Sequence, residues 1–239
     1  MIGDKKVVAV TLARGGSKTI KNKNLAIVGG RSLLERTVSA GSLSKYIDAH
    51  YVSSDSAEIL AEAERLGARP AARPLHLATD TASSADAILD FLQGLSLDAY
   101  LHNLLYRPDY VVELMCTCPF KSTGDIDACI EKLHLTGADS VVTVTRLLDH
   151  HPSRLKYIKD DTLCDFYPEK KESRRQDLEP HAFVRAGGIY AFTWDSVFKT
   201  KSRYGGVVRP VEIPSERAVN IDEPLDLMLA ELIGDRHGI

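Results

Sequence analysis

Strand-type and helix-type segments alternate along most of this chain, and that alternation limits the folds open to it. Val7 to Leu12 (VVAVTL) is rich in β-branched residues and carries no charge, which is typical of a strand covered on both faces of a parallel sheet. Helical patterns follow at Leu33 to Leu43 and at Ala57 to Leu66, the second closed by Gly67. The spacing predicts an α/β fold with a doubly wound, mostly parallel sheet and helices on both faces.

The alternation continues to the end of the chain. It predicts strands at 49–52, 109–115, 140–145, 184–192 and 207–213, and helices at 84–104, 126–135 and 223–233, with Gly94 as a point where the first of these helices could break. The helical period of about 3.6 residues and the strand period of about 2 both fade from about Leu147 to Pro180, where the charged run EKKESRRQD appears at 169–177. We therefore expect one domain over residues 1–239 with an excursion at about 147–180. The charged run fits either a solvated loop or contact with a second subunit.

Composition excludes several classes of protein. With 44% hydrophobic residues among 239, the chain can bury a core and is not disordered. Thirty basic and thirty-three acidic residues leave no positive excess for sequence-blind binding of nucleic acid. No apolar run approaches the roughly 20 residues that cross a bilayer, so we expect no membrane contact and a cytoplasmic protein. The four cysteines match neither zinc nor disulfide spacing and are expected to be buried, reduced thiols.

The loop after the first strand is the first candidate site. Arg14-Gly15-Gly16-Ser17-Lys18 follows that strand directly, at the carboxyl edge of the sheet where open α/β folds bind ligands. Glycines permit close approach of the backbone to a phosphate, and Lys21 and Lys23 add positive charge. Neither the P-loop nor the dinucleotide glycine pattern is present. The loop alone indicates either an anion site or an ordinary basic surface turn.

Other motifs narrow the choice. ARGGSKTIKNKNL at 13–25, RP at 73–74 with LATDTASS at 77–84, and NIDEPLDL at 220–227 occur in order with HHPSRL at 150–155, RRQDL at 174–178 and AGGIYAF at 186–192. Together they resemble the acylneuraminate cytidylyltransferases, the enzymes that make CMP-activated sialic acids. The resemblance implies a Rossmann-like nucleotidyltransferase fold with a small dimerisation excursion, and a homodimer. It also implies Mg²⁺ and transfer of CMP from CTP to the anomeric hydroxyl of a nine-carbon 2-keto sugar acid, with release of pyrophosphate.

The resemblance also implies a role for each matching residue. Arg14 and Lys23 would hold the triphosphate and neutralise charge at the α-phosphate and the leaving pyrophosphate, with Gly15, Gly16, Ser17 and Lys18 completing the phosphate loop. Asn24, Arg73 and Ser83 would contact cytosine and ribose. Arg154 and Arg175 would reach the sugar carboxylate from the partner subunit. Asp222 would bind the metal, with Asn220 as a weaker neutral ligand where the family usually has a second aspartate.

Some of these residues have simpler interpretations. Asp222 precedes a helix and could be its N-cap, and Arg73 before a proline could be an ordinary surface side chain. His150-His151 could suggest a metal pair, but adjacent residues of an extended segment point apart, which favours loop or interface histidines.

The acceptor half departs from the family pattern. Met115 replaces the usual glutamine and Ala186 the usual asparagine. In the phosphate loop, Thr19 and Lys21 replace the usual glycine and proline. The acceptor therefore stays open among legionaminate-, pseudaminate-, deaminated sialic acid- and Kdo-like 2-keto-3-deoxy acids. Alternative functions are a nucleotidyltransferase for another base or a neutral sugar phosphate, and a catalytically weak nucleotide- or sugar-binding homologue.

Overall fold

The structure, a computed structural model, describes residues 1–101, 107–167 and 174–237. Strands are numbered along the chain as β1 (Val7–Leu12), β2 (Ile27–Val28), β3 (Arg31–Ser32), β4 (Ala49–Ser54), β5 (Arg69–Ala72), β6 (Tyr110–Leu114), β7 (Ser140–Arg146), β8 (Lys156–Lys159), β9 (Thr162–Asp165), β10 (Phe183–Thr193) and β11 (Val208–Glu212). Helices are numbered likewise as α1 (Leu33–Ser42), α2 (Ala57–Arg65), α3 (Ser84–Leu101), α4 (Thr123–Thr136), α5 (Trp194–Thr200) and α6 (Pro224–His237).

A seven-stranded sheet in the order β11-β7-β10-β6-β1-β4-β5 forms the centre of the fold. Strands β5, β4, β1 and β6 run parallel to one another, and β11 runs parallel to β7. Only β10 among these seven is antiparallel to its neighbours, β6 and β7. The predicted α/β fold with a mostly parallel sheet is therefore confirmed.

Helices cover both faces of the sheet, and β1 shows why its sequence is apolar throughout. Val7 and Ala9 pack in a buried cluster with α4 residues such as Ile130. Val8 and Val10 belong to a second buried cluster with residues of α3 and α5. Successive side chains of a strand point to opposite faces, so a strand covered on both faces must be apolar at every position.

Local signals place the helices where the sequence predicts them. Serines cap the starts of α1, α2 and α4, and at α4 Ser122 forms a capping box with Asp125. Gly137 ends α4 in the left-handed conformation, with φ of 61°. Helix α3 continues through Gly94 as far as Leu101. The last part of its predicted extent, 102–104, lies outside the described residues.

Six short elements, β2, β3, β5, β8, β9 and α5, escape the sequence prediction. Strand β5 and helix α5 are short, and the predicted structureless excursion contains a hairpin in which β8 pairs with β9. The cysteine prediction also needs one correction. Cys116, Cys118 and Cys129 are buried free thiols, whereas Cys164 is only partly buried because it lies on the exposed strand β9.

The excursion leaves the sheet after β7 and returns through β10. Arg146 pairs with Phe183 at this junction, and the Leu147 N–H donates to the Ala182 carbonyl at 2.9 Å. Because β10 is antiparallel, its beginning lies at the same edge of the sheet as the carboxyl ends of the parallel strands. Within the described ranges, every helix is too short or too polar to cross a membrane.

Candidate active site

A cavity of about 460 Å³ opens where β1 and β6 end. Leu12, the last residue of β1, and Met115, the first residue after β6, both line this cavity. The sequence-predicted residues among its lining are Arg14, Ser17, Lys18, Lys23, Asn24, Arg73, Ser83 and Asp222. The fold thus gathers residues from four separate motifs at the edge of the sheet where open α/β folds bind ligands.

Two cations of the loop share one carboxylate. Asp80 accepts from Arg14 Nη1 at 2.7 Å and lies 2.5 Å from Lys18 Nζ. Hydrogen bonds from Lys18 and Arg14 lower the pKa of Asp80, which therefore stays ionised. These contacts hold both cations over the cavity.

Lys23 joins the loop to a residue far along the chain. Its ammonium donates to Asp222 Oδ1 and to the Ile221 carbonyl, each at 2.9 Å. The Asp222 carboxylate nevertheless remains 63% exposed and open to the cavity. The helix-capping interpretation of Asp222 is wrong, because the Asp226 carboxylate accepts the N–H groups of Asp222 and Glu223 at the start of α6.

Asn220 lies between a thiol and this carboxylate. Its Oδ1 accepts from Cys118 Sγ at 3.6 Å, and its Nδ2 donates to Asp222 Oδ2. Rotating the amide by 180° would place two oxygens against each other, so the network fixes this orientation. The Asn220 oxygen thus faces Cys118, away from the Asp222 carboxylate.

Three residues predicted to contact the nucleoside are engaged by the protein. Asn24 is buried and donates to the Arg14 carbonyl at 2.9 Å. Arg73 is also buried, which lowers the pKa of its guanidinium, and donates to Ser53 through Nε at 3.1 Å. The surface interpretation of Arg73 is therefore wrong. Ser83 accepts the Asp86 N–H at 3.0 Å at the start of α3.

The two glycines of the loop differ in their surroundings. The Gly15 N–H donates to Asp55 Oδ1 at 2.9 Å, and a Cβ at Gly15 would lie 2.9 Å from the Ser56 Cβ. Gly15 is thus required for close packing on the start of α2, whereas a Cβ at Gly16 would meet open space. Neither glycine is among the residues that line the cavity, although Ser17 is.

Arg154 lies elsewhere. It lines a separate cavity of about 200 Å³ at the end of β7, together with Arg146, His151, Gln176 and His181. Strands β7 and β1 are three positions apart in the sheet, which corresponds to about 14 Å. Arg175 begins a short 3-10 turn, Arg175–Asp177, and its side chain lies outside the described residues.

The histidine pair does not form a metal site. His151 Nδ1 lies 2.8 Å from Ser153 Oγ, and its Nε2 lies 3.0 Å from the Pro180 carbonyl, so both ring nitrogens are engaged. Across the described part of the chain, no group of three or more His, Cys, Asp or Glu side chains is arranged to hold a metal ion.

Known proteins with similar sequences decide the family. The sequence model of the family described as Cytidylyltransferase matches residues 8–184. A CMP-N,N'-diacetyllegionaminic acid synthase from Legionella pneumophila is 30% identical over 234 residues, which cover 95% of each protein. The chain belongs to the cytidylyltransferase family. The resemblance predicted from the motifs is thus confirmed, as is the expectation of an enzyme of the CMP-sugar synthetase type.

This cytidylyltransferase is also similar to a second enzyme in sequence and to two solved structures in fold. An N-acylneuraminate cytidylyltransferase from Escherichia coli O18:K1:H7 is 32% identical over 231 residues, and this chain covers 51% of that protein's length. Among solved structures, a CMP:2-keto-3-deoxy-manno-octonic acid synthetase complexed with CTP matches 97% of the chain with a TM-score of 0.70 at 14% identity. A 4-diphosphocytidyl-2C-methyl-D-erythritol synthase from Anaerococcus prevotii matches with a TM-score of 0.66 at 19% identity. The Rossmann-like nucleotidyltransferase fold is confirmed.

Sequence reasoning overlooked several residues of the cytidylyltransferase cavity. Asp80, the partner of Arg14 and Lys18, lies within the motif LATDTASS, but nothing in that motif says which cations its carboxylate meets. Thr117 lines the cavity, and its carbonyl accepts the Ile221 N–H at 2.8 Å. Its position directly after β6, at the carboxyl edge, was a signal that could have identified it.

Proposed function

We propose that this protein transfers CMP from CTP to the anomeric hydroxyl of a 2-keto-3-deoxy sugar acid and releases pyrophosphate. One observation carries the proposal. Arg14, Lys18 and Lys23 converge with the Asp222 carboxylate on a single cavity at the end of β1. The names of the Legionella and E. coli relatives, a CMP-N,N'-diacetyllegionaminic acid synthase and an N-acylneuraminate cytidylyltransferase, support the acceptor class.

The reaction needs charge stabilisation more than covalent help from the protein. The anomeric oxygen bonds to the α-phosphorus, while the bond from that phosphorus to the oxygen bridging to the β-phosphorus breaks. Pyrophosphate leaves with the electron pair, and the hydroxyl proton passes to water. In the proposed arrangement Arg14 and Lys18 hold the phosphates and Lys23 opposes negative charge at the α-phosphate, while Lys23 stays anchored by the Ile221 carbonyl.

The site also fits Mg²⁺. This ion is commonly held by one or two carboxylates together with substrate phosphates, and Asp222 presents one exposed carboxylate. The Asn220 oxygen faces Cys118, so we propose that Asp222 and the triphosphate oxygens bind the ion without Asn220. Bound there, Mg²⁺ would neutralise phosphate charge and orient the α-phosphate.

Selection of cytosine is proposed for Asn24, Arg73 and Ser83. All three line the cavity, and two are fixed by hydrogen bonds to the backbone or side chains of neighbouring loops and strands. Fixed polar groups reject a base that lacks the matching donors and acceptors more strongly than a flexible surface does.

A homodimer is the proposed assembly. The hairpin β8–β9 carries two paired residues, Ile158 and Leu163, that are 76% and 68% exposed. On the other face of the hairpin, the rings of Tyr157 and Phe166 pack in a tilted arrangement with centroids 5.2 Å apart. Two such hairpins covering each other would bury the face that carries Ile158 and Leu163. In such a dimer a partner's Arg154 could reach the acceptor, since Arg154 is not among the residues that line the larger cavity of its own subunit. The free thiols of all four cysteines fit a reducing cytoplasm.

Release of pyrophosphate tests the whole proposal. CTP, UTP, ATP and GTP are each supplied with Mg²⁺ and a panel of acids comprising N-acetylneuraminate, legionaminate, pseudaminate, deaminated sialic acid and Kdo. We expect turnover with CTP and at least one acid, and none with Asp222→Asn. Comparable turnover with UTP or ATP would overturn the base assignment. Binding of CTP without turnover on any acid would favour a catalytically weak homologue.

A further inference from the structure

A lysine is buried beneath a turn that lines the cavity. Lys121 is 4% exposed and directly precedes Ser122, the N-cap of α4. Its side chain reaches back under residues 115–118, the segment between β6 and Pro119. Met115, the first residue of this segment, and Thr117, its third, both line the cavity.

The Lys121 ammonium closes this turn. It donates to the Met115 carbonyl at 2.8 Å and to the Cys118 carbonyl at 2.7 Å. Its third bond, 2.8 Å long, goes to Thr37 Oγ1 on α1. An ammonium has three donors, and here each has an acceptor. The group therefore ties both ends of the turn to a helix of the core.

The closed turn in turn holds the segment that carries Asp222. The Thr117 carbonyl accepts the Ile221 N–H at 2.8 Å, next to Asp222 in the chain. Cys118 Sγ donates to Asn220 Oδ1 at 3.6 Å, and also lies 3.2 Å from the Ala186 carbonyl of β10. Asn220 and Ile221, the two residues before Asp222, are thus located by contacts with the turn.

We propose that Lys121 is a positioning residue, which sets the location of the Asp222 carboxylate by closing the turn of residues 115–118. This inference rests on the proposed function, since it assigns Lys121 to the placing of the metal-binding carboxylate. Without the ammonium, the Cys118 carbonyl loses its buried donor and the turn opens, so the Ile221 and Asp222 backbone is free to shift. Shifts of about 1 Å are enough to disturb catalysis.

Stability alone is a poor explanation for this lysine. A buried ammonium is desolvated, and an apolar side chain of similar volume commonly stabilises a core as well or better. Burial lowers the pKa of Lys121 to about 8, which reflects that cost. An apolar residue could not supply the three hydrogen bonds of Lys121, two of which hold carbonyls of the cavity-lining turn while the third goes to Thr37.

The test compares Lys121→Met with a matched control, Lys132→Met. Lys132 also donates to a backbone carbonyl, that of Pro210 at 2.6 Å, but from the surface of α4. Two quantities are measured for each variant after circular dichroism shows that it is folded. The first is affinity for CTP as a function of Mg²⁺, by calorimetry without an acceptor, and the second is the Mg²⁺ concentration for half-maximal CMP transfer.

We expect Lys121→Met to raise both Mg²⁺ requirements at least fivefold and Lys132→Met to change neither. Simple destabilisation would lower the active fraction without changing the Mg²⁺ requirement of the folded molecules. Unchanged Mg²⁺ requirements in folded Lys121→Met would overturn the proposal, whereas failure of wild type to bind Mg²⁺ with CTP would overturn the proposed function. If Lys121→Met does not fold, Thr37→Val decides instead. A twofold or larger rise supports the proposal, and no rise overturns it.

Discussion

The cations of the cavity are held in place before any substrate arrives. Arg14 and Lys18 share Asp80, and Lys23 is fixed by Asp222 and by the Ile221 carbonyl. Such contacts remove side-chain freedom that binding would otherwise have to remove. When a triphosphate binds, its oxygens would replace the Asp80 and Asp222 carboxylates as partners of these cations, so the side chains need little rearrangement.

Removal of the Lys23 or Arg14 side chain should lower the rate of CMP transfer by at least two orders of magnitude. Each group opposes charge that grows in the transition state, a contribution of about 3 kcal/mol. Rates and circular dichroism of Lys23→Ala and Arg14→Ala check this, with Lys21→Ala as control, because Lys21 is exposed on the same loop and does not line the cavity. Full activity, or loss of the fold, would contradict the role.

Exchanging the neutral and charged groups at the metal position should have opposite effects, a lower Mg²⁺ requirement in Asn220→Asp and loss of activity in Asp222→Asn. Asn220→Asp places a second carboxylate against Asp222 Oδ2, and the repulsion is relieved by a cation, so half-maximal activity should need less Mg²⁺. Asp222→Asn should abolish activity. Mg²⁺ titrations of both variants and of Asp235→Asn, at the far end of α6, measure this. An unchanged requirement in Asn220→Asp argues against any participation by position 220.

At the scale of elements, prediction succeeded where a segment carries its own signal. Helix α4 has both a serine cap and a closing glycine, and it lies where the pattern places it. Strand β5 has the sequence RPAA, which has little strand propensity, and it is a strand because it pairs with β4. The antiparallel direction of β10 could not be predicted either, because strand orientation depends on the path of the connecting chain. For the same reason the motifs located the cavity but not the Asp80 bridge.

The packing of β4 on α1 predicts acid sensitivity. His50 is buried, its Nε2 lies 2.8 Å from Thr11 Oγ1, and a Cβ at Gly41 of α1 would lie 2.7 Å from its Nδ1. Burial, and secondarily the charge of Lys121, lowers the pKa of His50 to about 4. The unfolded chain binds this proton first as the pH falls, so stability present above pH 6.5 is lost towards pH 4, by about 3 kcal/mol.

Urea unfolding of wild type and His50→Gln between pH 7.5 and 4.5 measures this loss. The variant should lose less stability than wild type over that interval, whatever its stability at neutral pH. His76→Gln, at an exposed position, controls for loss of a histidine. Parallel curves for wild type and His50→Gln would show that His50 is not the responsible group, and an NMR titration of the His50 ring gives an independent reading.

At the scale of the whole molecule, the exposed hairpin predicts the state of assembly. Leu163→Asp should convert a dimer to a monomer in light scattering, because a carboxylate would be buried in an apolar contact. Leu232→Asp is the matched control, since Leu163 and Leu232 are both 68% exposed but Leu232 lies on α6. A wild-type monomer with full activity, or a Leu163→Asp variant that stays dimeric, would remove the assembly proposed here.

The junction of Arg146 with Phe183 makes the excursion an interchangeable module. Its two ends meet as paired neighbours, so a short Asn-Gly turn in its place would join β7 and β10 as a plain hairpin. Every residue that lines the larger cavity lies outside the segment so removed. The residues that line this cavity and the hairpin of the proposed dimer contact therefore lie in separable stretches of sequence. An insertion of another length or shape at this point would change the proposed assembly and remove Arg154, while the residues that line the larger cavity stay in place.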